Sequence, residues 1–235
     1  MELSYRHFVF ALSALTLSFV AFTSSAFASS PSGVIALYDV ADDAVFDDAL
    51  KGFERSLKEQ GCVVAREGRV GGGQGNIGIE MPNWMLHLTC EGPVLDTAEG
   101  RAVFNRLGGS GTMIALLEGR YLGAVSQDQD PAAGRAYLLK LSRYSNSDPD
   151  ARDRDLAALG ARVSTLADAY RNESVVEIHR AVGMPTPDEA VLLYYATPEA
   201  GERFRDNNQD LLEQVGQFNR AHLTEFAYYF IAPIR

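Results

Sequence analysis

The sequence predicts an α+β protein made of two tandem units that share one element order, and three observations carry this prediction. Apolar runs typical of strands alternate with segments in which apolar residues recur every three or four positions, as on one face of a helix. The order strand, helix, strand, strand, helix, strand occurs over residues 29–128 and again over residues 136–235. Between them, the Gly- and Pro-containing polar segment at 129–135 is typical of a linker.

In the first unit, strands follow from apolar runs and helices from their start signals. The first helix begins after a cap at Asp42 or Asp43. The second helix begins at Asp96, which has capping-box spacing with Glu99, and it runs to Leu107. The four strands predicted for this unit are residues 34–40, 62–70, 84–90 and a strand within 112–126.

The second unit repeats the order of the first, although its residues differ. Asp148 caps the third helix and is followed by Pro149 at the first helical position, where proline is favoured. Thr197 and Pro198 open the last helical region in the same way. The four strands predicted for this unit are residues 136–144, 174–182, 190–196 and 224–232.

Residues 1–28 have the three-zone layout of a cleavable signal peptide. A short head carries Arg6, an apolar run follows at 8–22, and small residues lead to the site Ala26-Phe27-Ala28. Polar residues interrupt the apolar run, so a retained membrane anchor, which needs about 20 apolar residues, is the weaker interpretation. We expect export to the periplasm with cleavage after Ala28, and no contact with the membrane afterwards.

The chain is acidic, with 31 Asp and Glu against 21 Lys and Arg and a net charge of -10. Such a balance repels phosphate backbones and anionic lipid headgroups. No run of Lys and Arg interleaved with aromatic residues is present to offset it. We therefore expect no nucleic-acid partner.

Cys62 and Cys90 are the two cysteines of the chain, and they bracket the glycine-rich segment 71–76. This segment predicts a hairpin loop, so that Cys62 opens one strand and Cys90 closes its antiparallel neighbour. In an exported protein two cysteines most often pair with each other, which predicts a disulfide. The alternative is a redox-active or metal-binding pair, for which the Cys-x-x-Cys spacing and a neighbouring histidine are missing.

The repeated order is the split βαβ, or ferredoxin-like, arrangement, an antiparallel sheet with both helices on one face. The other face of each sheet must also be covered, and two tandem units achieve this by packing their open faces together into one pseudo-symmetric body. This layout resembles the dimeric α/β-barrel superfamily, here with both halves in one chain. The resemblance implies an interior between the units.

The first half also resembles the domain-of-unknown-function family numbered 302. The matching stretches are residues 46–64, 86–93 and 113–121. That family has no settled activity, so the resemblance implies a fold rather than a mechanism.

Polar side chains on the predicted strands are the candidates for a functional site. Successive side chains of a strand point to opposite faces, so Glu177 and His179 share one face while Val176 and Ile178 share the other. We expect Glu177 and His179 to face the other unit, where they form a candidate catalytic acid/base pair.

In the first unit, the cysteine pairing sets Ala65 opposite His87. Glu67 then lies one diagonal step away on the same face, so each unit contributes one Glu and one His to the predicted interior. The ligand-binding candidates are Glu67, His87, Lys140, Tyr194 and Tyr229.

Three interpretations of these residues stay open. A hydrogen-bonded polar pair on a half-exposed strand is common in antiparallel sheets and requires no function. A small-molecule pocket without chemistry is the second interpretation. Catalysis, or a divalent metal held by two Glu and two His, is the third.

The leading functional hypothesis is an exported protein that binds a small molecule between its two units or fills that interior with side chains. The alternative is an enzyme of the dimeric α/β-barrel type that uses the Glu/His pair or a bound metal. Polar groups from both units aimed at one cavity would distinguish the enzyme from the binding protein. The sequence specifies no cofactor, no metal ligand set and no oligomeric state.

We predict that the secreted protein begins at Ser29, because the small residues at 26 and 28 follow the apolar run at the spacing of a cleavage site. The intact mass of protein recovered from a bacterial periplasm measures this directly. A mass that still includes Met1 would contradict the periplasmic assignment.

Overall fold

A computed structural model of the chain describes residues 31–107, 110–122 and 134–233, which form eight strands and five helices. The strands are β1 Ser32–Asp39, β2 Cys62–Asn76, β3 Trp84–Cys90, β4 Thr112–Tyr121, β5 Ala136–Tyr144, β6 Arg171–Val182, β7 Glu189–Tyr195 and β8 Leu223–Pro233. The helices are α1 Asp43–Glu59, α2 Ala98–Leu107, α3 Pro149–Val163, α4 Pro198–Asn207 and α5 Gln209–His222. The predicted signal peptide at 1–28 and most of the predicted linker lie outside the described residues, and the domain division stays a prediction.

The eight strands form one closed antiparallel barrel in the order β1-β3-β2-β8-β5-β7-β6-β4. Within it, the strands of each unit lie side by side, β4-β1-β3-β2 in the first and β8-β5-β7-β6 in the second. Two seams between the units, β2 with β8 and β4 with β6, close the barrel. The predicted fold class, two ferredoxin-like units packed into one pseudo-symmetric body, is confirmed.

Alternate residues of each strand pack into two different apolar layers. Ile35 and Leu37 of β1 face the interior of the barrel, to which every strand contributes. Val34, Ala36 and Tyr38 face outwards against α1 and α2. Full burial of an apolar side chain of this size contributes about 2 kcal/mol, so both faces of the sheet stabilise the fold.

Helix caps follow the predicted positions with one exception. The carboxylate of Asp42 accepts the backbone N–H of Ala44 at the start of α1, and Asp148 caps α3 in the same way. At α2 the cap is the hydroxyl of Thr97, and Asp96 instead forms an ion pair with Arg180. Thr97 therefore takes the predicted role of Asp96, whose carboxylate contacts Arg180 of β6 instead.

The glycine-rich segment 71–76, predicted to be a hairpin loop, is strand, and this prediction was wrong. β2 continues to Asn76 and pairs with β8 along the first seam. The sequence pattern does not indicate this pairing, because backbone hydrogen bonds form it and glycines have no side chains that could alternate between the faces of a strand. A Cβ atom at Gly73 would lie 2.7 Å from the carbonyl oxygen of Tyr228, so glycine permits the close approach of the two strands.

The predicted disulfide is confirmed, because the sulfur atoms of Cys62 and Cys90 are joined where β2 and β3 pair. Both cysteines are buried against the outer layer of the first unit. In the part of the chain that the structure describes, no helix has the length and apolar character needed to cross a membrane.

We predict that Gly119→Ala weakens the second seam, because its added Cβ would clash with the carbonyl oxygen of Glu177 on β6. The free energy of unfolding should fall by about 2 kcal/mol, the usual cost of overpacking. Gly72→Ala on β2 is the matched control, since a Cβ there meets no atom within 4 Å. Urea unfolding measures both, and equal losses would contradict the prediction.

Candidate functional site

The barrel interior is apolar except at one end, where polar side chains of both units meet. We call this cluster the interunit site and define it by Arg66, His87, Tyr121, Arg135, Tyr137 and Glu173. The first three belong to the first unit and the last three to the second. Polar groups from both units that meet at one place are the feature expected to distinguish an enzyme from a binding protein.

Bulges in the second strand of each unit supply the charged members of the site. In β2 the register shifts between Val64 and Arg66, which brings Arg66 opposite His87. In β6 it shifts between Asn172 and Ser174, so that Glu173 is the extra residue. A bulge re-aims a side chain without interrupting the sheet. In β2 it turns Arg66 into the interior, and in β6 it leaves Glu173 buried beside residues of the first unit.

A buried ion pair joins the two units at this site. Nε of Arg66 lies 2.9 Å from Oε1 of Glu173, and Nη1 of Arg135 lies 3.9 Å from Oε2. The hydroxyl of Tyr137 donates to Oε2 of Glu173 at 2.7 Å. The Glu173 side chain is only 3% exposed, so its charge is stabilised by these partners rather than by water.

The tyrosines of the site are hydrogen-bond donors at physiological pH. Burial raises the pKa of Tyr137, and the hydrogen bond to Glu173 raises it further. Burial also raises the pKa of Tyr121, with a smaller contribution from the charge of Glu173. Both phenols therefore keep their protons next to the carboxylate.

His87 is the uncharged member of the site. Its Nε2 lies 3.1 Å from the hydroxyl oxygen of Tyr121, which is in turn 2.9 Å from Oγ1 of Thr89. Burial, together with a smaller contribution from the nearby charge of Arg66, lowers the pKa of His87 to about 4. Its Nδ1 is buried and has no hydrogen-bond partner among the described residues. A buried ring nitrogen in this state has the capacity for one further hydrogen bond.

Glu67 does not join His87, and its predicted orientation was wrong. The bulge adds one residue to β2, so that Arg66 rather than Ala65 lies opposite His87. Glu67 consequently lies opposite Leu86, on the face that packs against the helices of the first unit. A shift of one residue exchanges the two faces of a strand.

The predicted inward orientation of Glu177 and His179 was also wrong. Val176 and Ile178 occupy the barrel interior, because the apolar face of β6 closes the core. Glu177 lies on the outer face in an ion pair with Arg120, and His179 is exposed. The catalytic role assigned to this pair stays a prediction and gains no support from the geometry.

The remaining candidates divide between the two faces. Tyr194 and Tyr229 face the interior as predicted, and Tyr194 stacks under Arg135 with 4.1 Å between the guanidinium carbon and the ring centroid. Lys140 lies on the outer face, where its ammonium group is 5.8 Å from the ring centroid of Phe218 on α5. Lys140 is therefore separated from the interunit site by the sheet.

Two cavities lie along the described surface, both away from the interunit site. One of about 240 Å³ is lined by Asp42, Asp43 and Arg69, and one of about 230 Å³ by Tyr144 and Glu177 among others. Within the described ranges, no group of three or more His, Cys, Asp and Glu residues is placed to hold a metal ion.

No family model matches the chain, and no curated protein matches its sequence. The resemblance of the first half to the family numbered 302 is therefore not confirmed.

Solved structures share the fold over most of the chain. An anthrone oxidase-like protein matches with a TM-score of 0.58 and 13% identity, covering 88% of this chain and 92% of its own. A mutant chlorite dismutase from Candidatus Nitrospira defluvii in complex with cyanide has a TM-score of 0.56 and 13% identity, covering 87% and 92%. A variant of DypB from Rhodococcus jostii RHA1 in complex with heme has a TM-score of 0.52 and 12% identity, covering 86% and 93%. At such identities the likeness shows the fold alone, the two-unit ferredoxin-like fold of chlorite dismutase.

We predict that His87 makes the free energy of unfolding fall as the pH drops. The folded protein keeps His87 neutral down to a pKa of about 4, whereas the unfolded chain binds the proton near an ordinary pKa of about 6.5. Stability is therefore lost as the pH falls from about 6.5 to about 4, by about 2 kcal/mol between pH 7 and pH 5. Urea unfolding of the wild type and His87→Gln at both pH values measures this loss, and equal losses would contradict the prediction.

Proposed function

We propose that the protein is exported and that it binds a small polar organic molecule at the interunit site. The observation that carries the proposal is the convergence of Arg66, His87 and Glu173, contributed by both units, in an otherwise apolar interior. The buried disulfide is compatible with an oxidising compartment. The fold shared with proteins solved with bound small molecules supports the same conclusion.

Stability alone does not account for the site. Replacing a buried ion pair by apolar side chains of similar volume is often neutral or stabilising. The buried Nδ1 of His87, which has no hydrogen-bond partner among the described residues, offers a bound molecule one further contact. Both features favour a site whose polar groups act on a bound molecule.

Catalysis is the second candidate function, and one observation favours it. The site contains a carboxylate, Glu173, and a neutral imidazole, His87, with Arg66 opposite the imidazole and paired with the carboxylate. Glu173 and His87 thus combine the two residue types predicted for the acid/base pair Glu177 and His179. An enzyme of this kind would convert the molecule that the site binds, so binding is common to both candidates.

The cysteines and the buried histidines of the described residues are not placed to hold heme iron. Heme iron is held by a His, Cys, Met or Tyr side chain beside a cavity for the macrocycle. Both cysteines form the disulfide, and Nε2 of His87 is hydrogen-bonded to Tyr121. Nε2 of His222 lies 2.7 Å from Asp155 between α5 and α3.

The test is recovery of the bound molecule. Full-length protein is exported in a bacterial host, purified without reductant and extracted for mass spectrometry. We expect the wild type to release a small molecule that the double variant Arg66→Met/Glu173→Leu does not release. The fold should survive this change, because apolar groups of similar size replace the ion pair.

The matched control is Arg120→Met/Glu177→Leu, which removes an ion pair from the outer face of the same barrel. This control should retain the molecule, and it also tests the role predicted for Glu177. Equal recovery from the two double variants, or recovery from none of the three proteins, would contradict the proposal.

A further inference from the structure

We propose that Thr89 and Tyr121 form a proton path to His87, so that His87 accepts a proton at Nδ1 while it releases another from Nε2. This inference rests on the proposed function for the molecule that supplies the proton, which must carry an O–H or N–H group. Thr89 and Tyr121 act through His87 and are therefore positioning residues. Three features support the path: its connectivity, its direction at rest and the cost of a charged imidazole.

The first feature is an unbroken chain of groups that exchange protons. Nε2 of His87 lies 3.1 Å from the hydroxyl oxygen of Tyr121, which is 2.9 Å from Oγ1 of Thr89. A hydroxyl accepts one hydrogen bond while it donates another, so a proton can pass along such a chain. Thr89 is the half-buried residue of β3, and its neighbour across the sheet, Val63, is 51% exposed. The path therefore leads from the buried imidazole towards solvent.

The second feature is the direction of these hydrogen bonds at rest. Nδ1 of His87 is buried and has no hydrogen-bond partner among the described residues. A proton on Nδ1 would leave a buried N–H without an acceptor, and such donors are rarer in folded proteins than acceptors without a donor. The neutral ring therefore carries its proton on Nε2, which donates to the hydroxyl oxygen of Tyr121. That hydroxyl has two acceptors of its own, Oγ1 of Thr89 at 2.9 Å and the carbonyl oxygen of Leu88 at 3.4 Å.

The third feature is the cost of a charged imidazole. Arg66 lies opposite His87, and burial together with the charge of Arg66 lowers the pKa of His87 to about 4. A base that only accepted a proton would become an imidazolium, which this environment disfavours. The path avoids the charge, because the ring loses one proton as it gains another.

The protons and electron pairs of this step balance. An N–H bond forms at Nδ1, and the bound molecule keeps the electron pair of the O–H or N–H bond that breaks. The Nε2 proton moves to the oxygen of Tyr121, the Tyr121 proton moves to Oγ1 of Thr89, and the Thr89 proton leaves to water. The imidazole is neutral before and after, and the hydrogen bonds of the path have reversed their direction.

The experiment uses full-length exported protein at pH 7 with no added molecule, so it does not depend on the identity of the ligand. The histidines are isotope-labelled, and nitrogen–proton correlation spectra report which ring nitrogen of His87 carries the proton. His87→Gln identifies the signals by their loss. We expect the proton on Nε2. Exchange spectroscopy then measures how fast this proton exchanges with water.

Thr89→Val keeps the shape of the side chain and removes its hydroxyl. Exchange of the Nε2 proton should slow at least about tenfold, which corresponds to about 1.4 kcal/mol in activation free energy, and the proton should stay on Nε2. A purely structural role predicts the opposite sign, because the loss of a hydrogen bond favours local opening and faster exchange.

Tyr121→Phe removes the acceptor of the Nε2 proton, so the share of His87 protonated on Nδ1 should rise. Tyr229→Phe is the matched control, since Tyr229 also faces the barrel interior, and it should change neither the protonated nitrogen nor the exchange rate. Amide spectra that match the wild type show that each variant keeps the fold.

The outcomes separate this inference from the proposed function. A wild-type proton on Nδ1 overturns the path, and so does exchange in Thr89→Val that is as fast as in the wild type or faster. A share of Nδ1 protonation that does not rise in Tyr121→Phe also overturns it. Failure to recover a bound molecule contradicts the proposed function and changes none of these spectra.

Discussion

Two backbone seams between the units are the constraint on which the rest of the structure depends. A four-stranded sheet on its own has two open edges and one uncovered apolar face. Pairing β2 with β8 and β4 with β6 removes both problems at once, because the edges meet and the faces enclose a shared core. At Gly73 and Gly119 a Cβ atom would meet a carbonyl oxygen of the partner strand, so the seams depend on residues that contribute no side chain. The polar site exists only in the closed barrel, since each unit alone carries an incomplete set.

The interior of the barrel combines two demands that oppose each other. Apolar packing stabilises the closed body, whereas desolvation of Arg66 and Glu173 is costly unless each finds its partner. The hydroxyl of Tyr137 donates a hydrogen bond to Glu173 of this ion pair. The imidazole of His87 stays neutral rather than charged. The polar groups are confined to one end, so the rest of the barrel interior is lined by apolar side chains.

Local patterns in the sequence predicted the fold well and the site poorly, for physical reasons. Hydrophobic periodicity and aspartate caps at Asp42 and Asp148 are local signals, and the elements they predicted are present. The glycines at 71–76 carry no pattern of side chains, so their pairing with β8 left no local trace. The orientation of Glu67 depended on a bulge of one residue, which alternation cannot detect. Alternation placed Glu177 and Val176 on opposite faces of β6 but did not determine which face lies inside, and the closed barrel buries the face with Val176.

The residues that the sequence analysis missed share one property. The predicted register, with Ala65 opposite His87 and Glu67 on the same face, left Arg66 on the other face, and Glu173 lay one residue before the predicted start of its strand. A signal was present in each case, since each is a charged residue near the start of the second strand of its unit. That signal becomes informative only when β2 and β6 are compared as the second strands of their units.

Because the two halves are joined in one chain, they are free to differ at equivalent positions. Arg66 and Glu173 both adjoin the bulge in the second strand of their units. A symmetric homodimer of the first half would contain Arg66 without Glu173, and one of the second half would contain Glu173 without Arg66. The ion pair that joins the units therefore requires two different halves. Covalent fusion thus breaks the twofold symmetry of the barrel and permits a polar, directional site that an identical pair of subunits cannot form.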